Sequence, residues 1–149
     1  MRVLAPISGR AVPLAGVPDE VFAEGMAGQG CAVVPETSGE AVAPVAGVLV
    51  KLFEGGHAFG IAADNGIEMI VHLGLDTIEL RGKGFERIAT EGERVDAGQP
   101  IVRFDLEEIR AGNYDPVTPV LVTNPEDHPI TGVRTGEVQA GEPLFEAGD

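Results

Sequence analysis

The sequence has one cysteine, one tyrosine and no tryptophan. A lone Cys31 excludes an internal disulfide and a cysteine-rich zinc centre, and fits a reducing cytoplasm. No apolar run reaches the roughly 18 residues of a spanning helix, and no basic-plus-apolar leader is present. Neither membrane insertion nor secretion is therefore expected. Cations are also scarce: Lys and Arg number 10 against 24 Asp and Glu, a net charge of −14. That balance argues against nucleic acid and anionic membrane, whose phosphates need cations. It favours solubility and a basic protein partner.

Helical periodicity is scarce as well. Hydrophobic residues make up 44% of 149, enough for one core, and a single domain over residues 1–149 is expected. Gly (21) and Pro (11) are spread evenly. Short Val-, Ile- and Leu-rich runs lie between Gly, Pro, Asp and Asn, which reads as all-β, a sandwich or barrel of many short strands. Single helical turns are predicted only at "GFERIATEG" (84–92) and "DLEEIRAG" (105–112), the second with Asp105 as N-cap.

The chain echoes itself twice. "LAPISGRAVPL" (4–14) resembles "VAPVAGVLVKL" (42–52), and "GERVDAGQPIV" (92–102) resembles "TGEVQAGEPLF" (135–145). In the second pair Gly98 and Gly141 suit a positive φ, and Pro100 and Pro143 open strands. Two copies of each motif predict a duplicated β-sandwich. Biotinyl and lipoyl carrier domains use comparable motifs, but they need a lysine at an exposed hairpin tip. Lys51 and Lys83, the only lysines, lie in no such tip.

Two of the three histidines flank Asn65-Gly66, a strong hairpin signal. A two-residue turn there pairs Ala62 with Met69, Ile61 with Ile70, Phe59 with His72 and His57 with Gly74. Side chains alternate, so His57 and His72 share a face as diagonal neighbours about 7–8 Å apart. Gly74 would leave open space opposite His57, and Asp76 would extend the face if the strand continued. A slip of one residue would put the histidines on opposite faces. His128, in the turn-rich "TNPEDHPITG", is given no role.

Two imidazoles permit two chemistries. With Asp76 they could hold a catalytic zinc, which takes three protein ligands and keeps one position open. "HLGLD" has the His-x-Gly-x-Asp spacing of certain zinc peptidases, yet the His-x-His those also need is absent. Alternatively, a neutral imidazole can attack phosphorus and carry a phosphoryl group. A second imidazole N–H would then donate to the phosphoryl oxygens, and an apolar rim would limit hydrolysis and dock partners.

"HAFGI" (57–61), "GIEMIVHLGLDTIELRGKGF" (66–85), "VPDEVFAEGMAGQGCAVVP" (17–35), "VAPVAGVLVKLF" (42–53) and "FDLEEI" (104–109) together resemble the IIA component of the glucose family of the bacterial sugar phosphotransferase system. The resemblance runs over nearly the whole chain. It implies a cytoplasmic phosphocarrier that takes a phosphoryl group from the histidine of HPr and passes it to a cysteine of a IIB domain. It assigns the phosphorylated Nε2 to His72 and the assisting hydrogen bond to His57. Asp19 and Asp76 become the acidic contacts for basic partners, and Val21, Phe22, Met26, Phe53 and Ile70 the apolar rim. No cofactor is required. Some members bind zinc between the two histidines when docked to a regulated enzyme; the sequence alone does not imply this here, and leaves a zinc at His57 and His72 and such enzymes as partners open. Where many members have Thr or Ser two residues before the assisting histidine, this chain has Gly55, and Ile70 replaces a rim aromatic. The N-terminal membrane-binding extension of some members is not expected here.

Overall fold

The computed structural model describes residues 1–148. Fourteen short strands run in chain order: β1 (Arg2–Leu4), β2 (Gly9–Pro13), β3 (Gln29–Pro35), β4 (Gly39–Val42), β5 (Gly47–Leu52), β6 (Ala58–Ala62), β7 (Glu68–His72), β8 (Phe85–Arg87), β9 (Arg94–Val95), β10 (Pro100–Phe104), β11 (Thr118–Val122), β12 (Ile130–Thr131), β13 (Gly136–Val138) and β14 (Pro143–Ala147). Two short α-helices, α1 (Glu20–Ala23) and α2 (Leu106–Ala111), and 3-10 turns at Leu14–Gly16 and Thr77–Leu80 interrupt them. Eight strands form one sheet, ordered β13-β2-β3-β11-β7-β6-β5-β9, and two three-stranded sheets, β1-β14-β12 and β4-β10-β8, complete the sandwich.

The sequence echoes are a structural duplication. Gly9 pairs with Val138 as Gly47 pairs with Val95. Leu4 pairs with Pro143 as Val42 pairs with Pro100. Ala5 exchanges backbone hydrogen bonds with Gly141 and Glu142, and Ala43 does the same with Gly98 and Gln99. The two copies also bond each other: Leu4 N–H donates to Pro44 O at 2.9 Å and Val42 N–H to Pro6 O at 2.8 Å. Two chain segments that each expose one apolar face thus close over a common core.

That core joins all three sheets, with Val33, Phe59, Val71, Ile101, Val120 and Leu144 among its buried members. A second, smaller cluster lies on the other face of the large sheet. There Leu14, Val17 and Phe22 of the 14–27 segment pack on Ala32, Leu121 and Ile70. Alternation divides the strands between the two: Cys31 and Val33 face the main core, Ala32 and Val34 the second cluster. Because β11 is covered on both faces, all five of its residues are buried.

Asp105 caps α2, its Oδ1 accepting from Glu107 N–H at 3.0 Å and Glu108 N–H at 3.4 Å, which matches the sequence expectation. The helical turn expected over 84–92 is instead strand β8. Phe85 pairs with Phe104 and Arg87 with Val102, so tertiary pairing overrides the local preference.

Candidate functional site

The Asn65-Gly66 hairpin differs from its sequence reading by one residue. Ala58 faces His72, Gly60 faces Ile70 and Ile61 faces Met69. The reason is the turn. Gly66 N–H donates to Ala63 O at 3.1 Å and Ala63 N–H to Ile67 O at 2.8 Å, which leaves three loop residues, 64–66. Gly66 has φ +96 and Asn65 is not left-handed, so this is a type I turn followed by a glycine bulge, not the two-residue type I′ loop. Phe59 and Ile61 therefore point into the core with Val71 and Met69. His72, half-buried, stands on the outer face with Ile70.

Strict alternation would now separate the two histidines, yet their rings meet. The centroids are 5.3 Å apart and the planes 71° inclined. His57 lies one residue before β6, outside the alternating ladder. The chain enters there through a tight turn in which Gly56 has φ +83 and its N–H donates to Phe53 O at 2.8 Å. Phe53 packs edge-on to His57 at 5.0 Å, and Phe22 lies 5.6 Å from His72. His57 is 4% exposed.

The strand ends at His72, so Asp76 does not extend it. Instead residues 73–76 turn sharply, with Gly74 at φ +88 and Asp76 at φ +59. His72 Nδ1 lies 2.5 Å from Gly74 O. A carbonyl only accepts, so Nδ1 carries the proton and Nε2 of the neutral ring keeps its lone pair. Burial pushes the His72 pKa below its ordinary value, against the opposing pull of the Gly74 carbonyl and of the Asp76 and Asp19 charges. Burial, and then the neighbouring His72, lower His57 to about 4. Both rings are neutral at neutral pH, the state a nucleophile and a neutral N–H donor need. Gly74 does not leave open space: a Cβ there would lie 2.6 Å from the Thr77 methyl.

Phe22 packs on His72 and Phe53 on His57, and the Asp19 and Asp76 charges reach His72. Val21 and Met26 lie on the Phe22 segment. Asp19 caps α1, its Oδ1 accepting from Val21 N–H at 2.9 Å. Val21 and Met26 are 48% and 72% exposed, while Phe22, Phe53 and Ile70 are half-buried. Asp76 is exposed and its carboxylate caps nothing. A cleft of about 490 Å³ beside His57 is lined by Phe53, Glu54, Gly55, Ile78, Arg81 and Gly82. Among the described residues, no group of three or more His, Cys, Asp or Glu side chains is arranged to hold a metal ion. The three-ligand zinc hydrolase reading therefore has no geometric support.

Residues 1–128 match the family described as phosphoenolpyruvate-dependent sugar phosphotransferase system, EIIA 1. The chain belongs to this family. It is 43% identical over 124 residues to the glucose-specific EIIA component of Staphylococcus aureus, covering 83% of this chain and 74% of that protein. It is 44% identical over 142 residues to the beta-glucoside-specific EIIBCA component of Bacillus subtilis, covering 95% of this chain. It spans only 23% of that relative's length. Among solved structures, glucose permease IIA from Mycoplasma capricolum superposes with a TM-score of 0.92 at 39% identity, over 97% of this chain and 94% of that one.

Within this EIIA chain, sequence reading passed over three site residues. Ile78 is 57% exposed at the mouth of the cleft, and Arg81 stands beside it. Thr77, next to Ile78 in the chain, is fully buried against the Gly74 turn. A lone exposed Ile between Asp76 and Glu79 was the available signal for the first. His128 is 6% exposed, its Nδ1 2.6 Å from Gly148 O. It latches a loop to the C-terminal segment, remote in sequence from the paired rings. Among the described residues, no helix is long and apolar enough to cross a membrane.

Proposed function

We propose that this EIIA chain is a phosphocarrier in which His72 Nε2 is the acceptor. Nε2 attacks the phosphorus of phosphohistidine on HPr, a new N–P bond forms as the HPr N–P bond breaks, and HPr leaves with its ring nitrogen free. The phosphoryl group then passes to a cysteine thiolate of a IIB domain, with S–P formed and N–P broken. His57 donates an N–H to the phosphoryl oxygens throughout. The observation that carries this reading is the short His72 Nδ1 contact to Gly74 O, which leaves the Nε2 lone pair free for attack.

Supporting features lie around it. The EIIBCA name of the Bacillus relative joins an A component to B and C components in one protein, which favours a IIB recipient. Exposed Val21 and Met26, with Phe22, Phe53 and Ile70, give docking area. Asp19 and Asp76 offer charge to a basic HPr face, where charges act chiefly on encounter rate and register. The exchange takes place in the cytoplasm, and the sugar is chosen by the membrane component, away from the two rings.

Mass spectrometry after incubation with phosphoenolpyruvate, enzyme I and HPr tests the reading. One acid-labile phosphoryl group on His72 is expected. An unmodified protein beside fully phosphorylated HPr would overturn it.

A further inference from the structure

Thr77 is a buried polar side chain beside the histidines whose hydroxyl touches neither of them. Its Oγ1–H donates to Leu73 O at 2.7 Å, four residues back, and closes the turn. Its methyl fills the place a side chain at residue 74 would need, and the Asp115 carbonyl would stand 3.1 Å from that Cβ on another side. Thr77 therefore seals a turn that only glycine at position 74 can make.

The turn controls both rings through its peptide planes. In the 74–75 peptide, the carbonyl accepts from His72 Nδ1 while Leu75 N–H donates to Asp115 O at 2.8 Å. In a planar trans peptide these two groups point in opposite directions. Asp115 holds one end, so the other end is aimed at His72. Asp115 is itself anchored, since its Oδ1 accepts from Val117 N–H at 2.9 Å. Leu73 N–H donates to His57 O at 2.7 Å, so the same turn fixes the backbone of the second histidine. Hydrogen bonds linked through peptide units polarise one another, and an imidazole takes the tautomer its partner selects.

We infer that Thr77 is a positioning residue for His72: its hydroxyl and methyl hold the 73–76 turn so that Gly74 O keeps the ring proton on Nδ1 and the lone pair on Nε2. The inference rests on His72 being the phosphoryl acceptor. A merely structural threonine would affect stability without selecting a tautomer.

The test combines two variants with three readouts. Thr77→Val removes the hydroxyl and keeps the branched shape; Thr77→Ser keeps the hydroxyl. Ring ¹⁵N shifts of His72 at about pH 8, above the ordinary imidazole range, report the tautomer. Single-turnover acceptance from labelled phospho-HPr reports function, and thermal melting reports stability. Wild type and Thr77→Ser are expected to show Nδ1–H. Thr77→Val should gain Nε2–H and accept about two- to tenfold more slowly, the worth of one hydrogen bond. A wild-type tautomer in Thr77→Val overturns the inference, and so does an acceptance loss that Thr77→Ser shares in full. Should Thr77→Val not fold, a predominantly Nε2–H ring in the wild-type protein overturns it alone. The tautomer is read without any phosphoryl donor. A wild type with Nδ1–H that accepts no phosphate therefore sinks the phosphocarrier reading instead.

Discussion

The β6–β7 pair and the β3–β11 pair occupy equivalent places in the two halves of the large sheet. Leu52 of β5 faces Phe59, which faces Val71; Pro13 of β2 faces Cys31, which faces Val120. Val71 and Val120 then face each other. One step along, Ala58 faces His72 in one half and Gly30 faces Leu121 in the other. His72 and Leu121 are thus structural twins on the outer face. Leu121 is fully buried under the 14–27 segment, whereas His72 lies at the edge of that cover. Duplication supplies the scaffold, and a thinner cover leaves His72 half-buried where its twin Leu121 is sealed. The covering segment also reaches the other half, because it sets Phe22 against the His72 ring and brings the Asp19 charge within reach of it.

The sharpest way to break this comparison is to remove one twin at a time. His72→Ala should abolish phosphoryl acceptance from labelled HPr while leaving the melting temperature nearly unchanged, since the ring is only half-buried. Leu121→Ala should do the reverse. Removing a fully buried Leu costs about 2–5 kcal/mol, read by denaturant unfolding, with acceptance per folded molecule kept. A Leu121→Ala protein that is as stable as wild type would show that the cover carries no packing weight.

Acidification reads the same contrast through protons. His57 is lowered from 6.5 to about 4 in the folded chain. Its folded pKa is below its unfolded one, so its contribution to stability is fully present above pH 6.5 and is lost as pH falls toward 4. The unfolded chain binds the extra proton across that window. The loss should be on the order of 2 kcal/mol by pH 5. His57→Gln should flatten this part of the pH–stability curve, and an unchanged slope would remove His57 as its source.

His57 also separates donor from nucleophile. Gln can present an N–H near the imidazole position and Ala cannot. His57→Gln should accept phosphate more readily than His57→Ala, which should slow about tenfold for a lost hydrogen bond to a charged group. If His57→Gln accepts no phosphate at all, the two histidines have been assigned in the wrong order.

Much of this contrast was legible in the sequence. The Ala-Pro-x-x-Gly and Val-x-x-Gly-x-Pro echoes announced the duplication because each copy needs the same turn. The juxtaposition of His57 and His72 was also legible, though the route to it was not. A dipeptide signals a hairpin but not whether one or two residues take positive φ, and that single difference shifted the register by one residue. What restored the contact is the Gly56 turn, which frees His57 from alternation. The cover by residues 14–27 was invisible because its short helices carry no periodicity. Thr77 was invisible because its partners, the Leu73 carbonyl and the space above Gly74, are backbone features that no residue type reveals.

The smallest expected effect concerns charge at the rim of the His72 half. Asp76 is exposed, in a left-handed conformation that Asn tolerates equally well, and its carboxylate caps nothing. Asp76→Asn therefore removes a charge and leaves the turn in place. Surface charges steer encounter and are screened beyond about 8–10 Å at ordinary ionic strength. Acceptance from HPr should slow by roughly a few-fold at low salt and converge on wild type as salt rises. The check is the second-order rate constant from phospho-HPr over a salt series. A deficit of equal size at every salt concentration would move Asp76 from the steering surface into the reacting site, where its charge acts on His72 at short range.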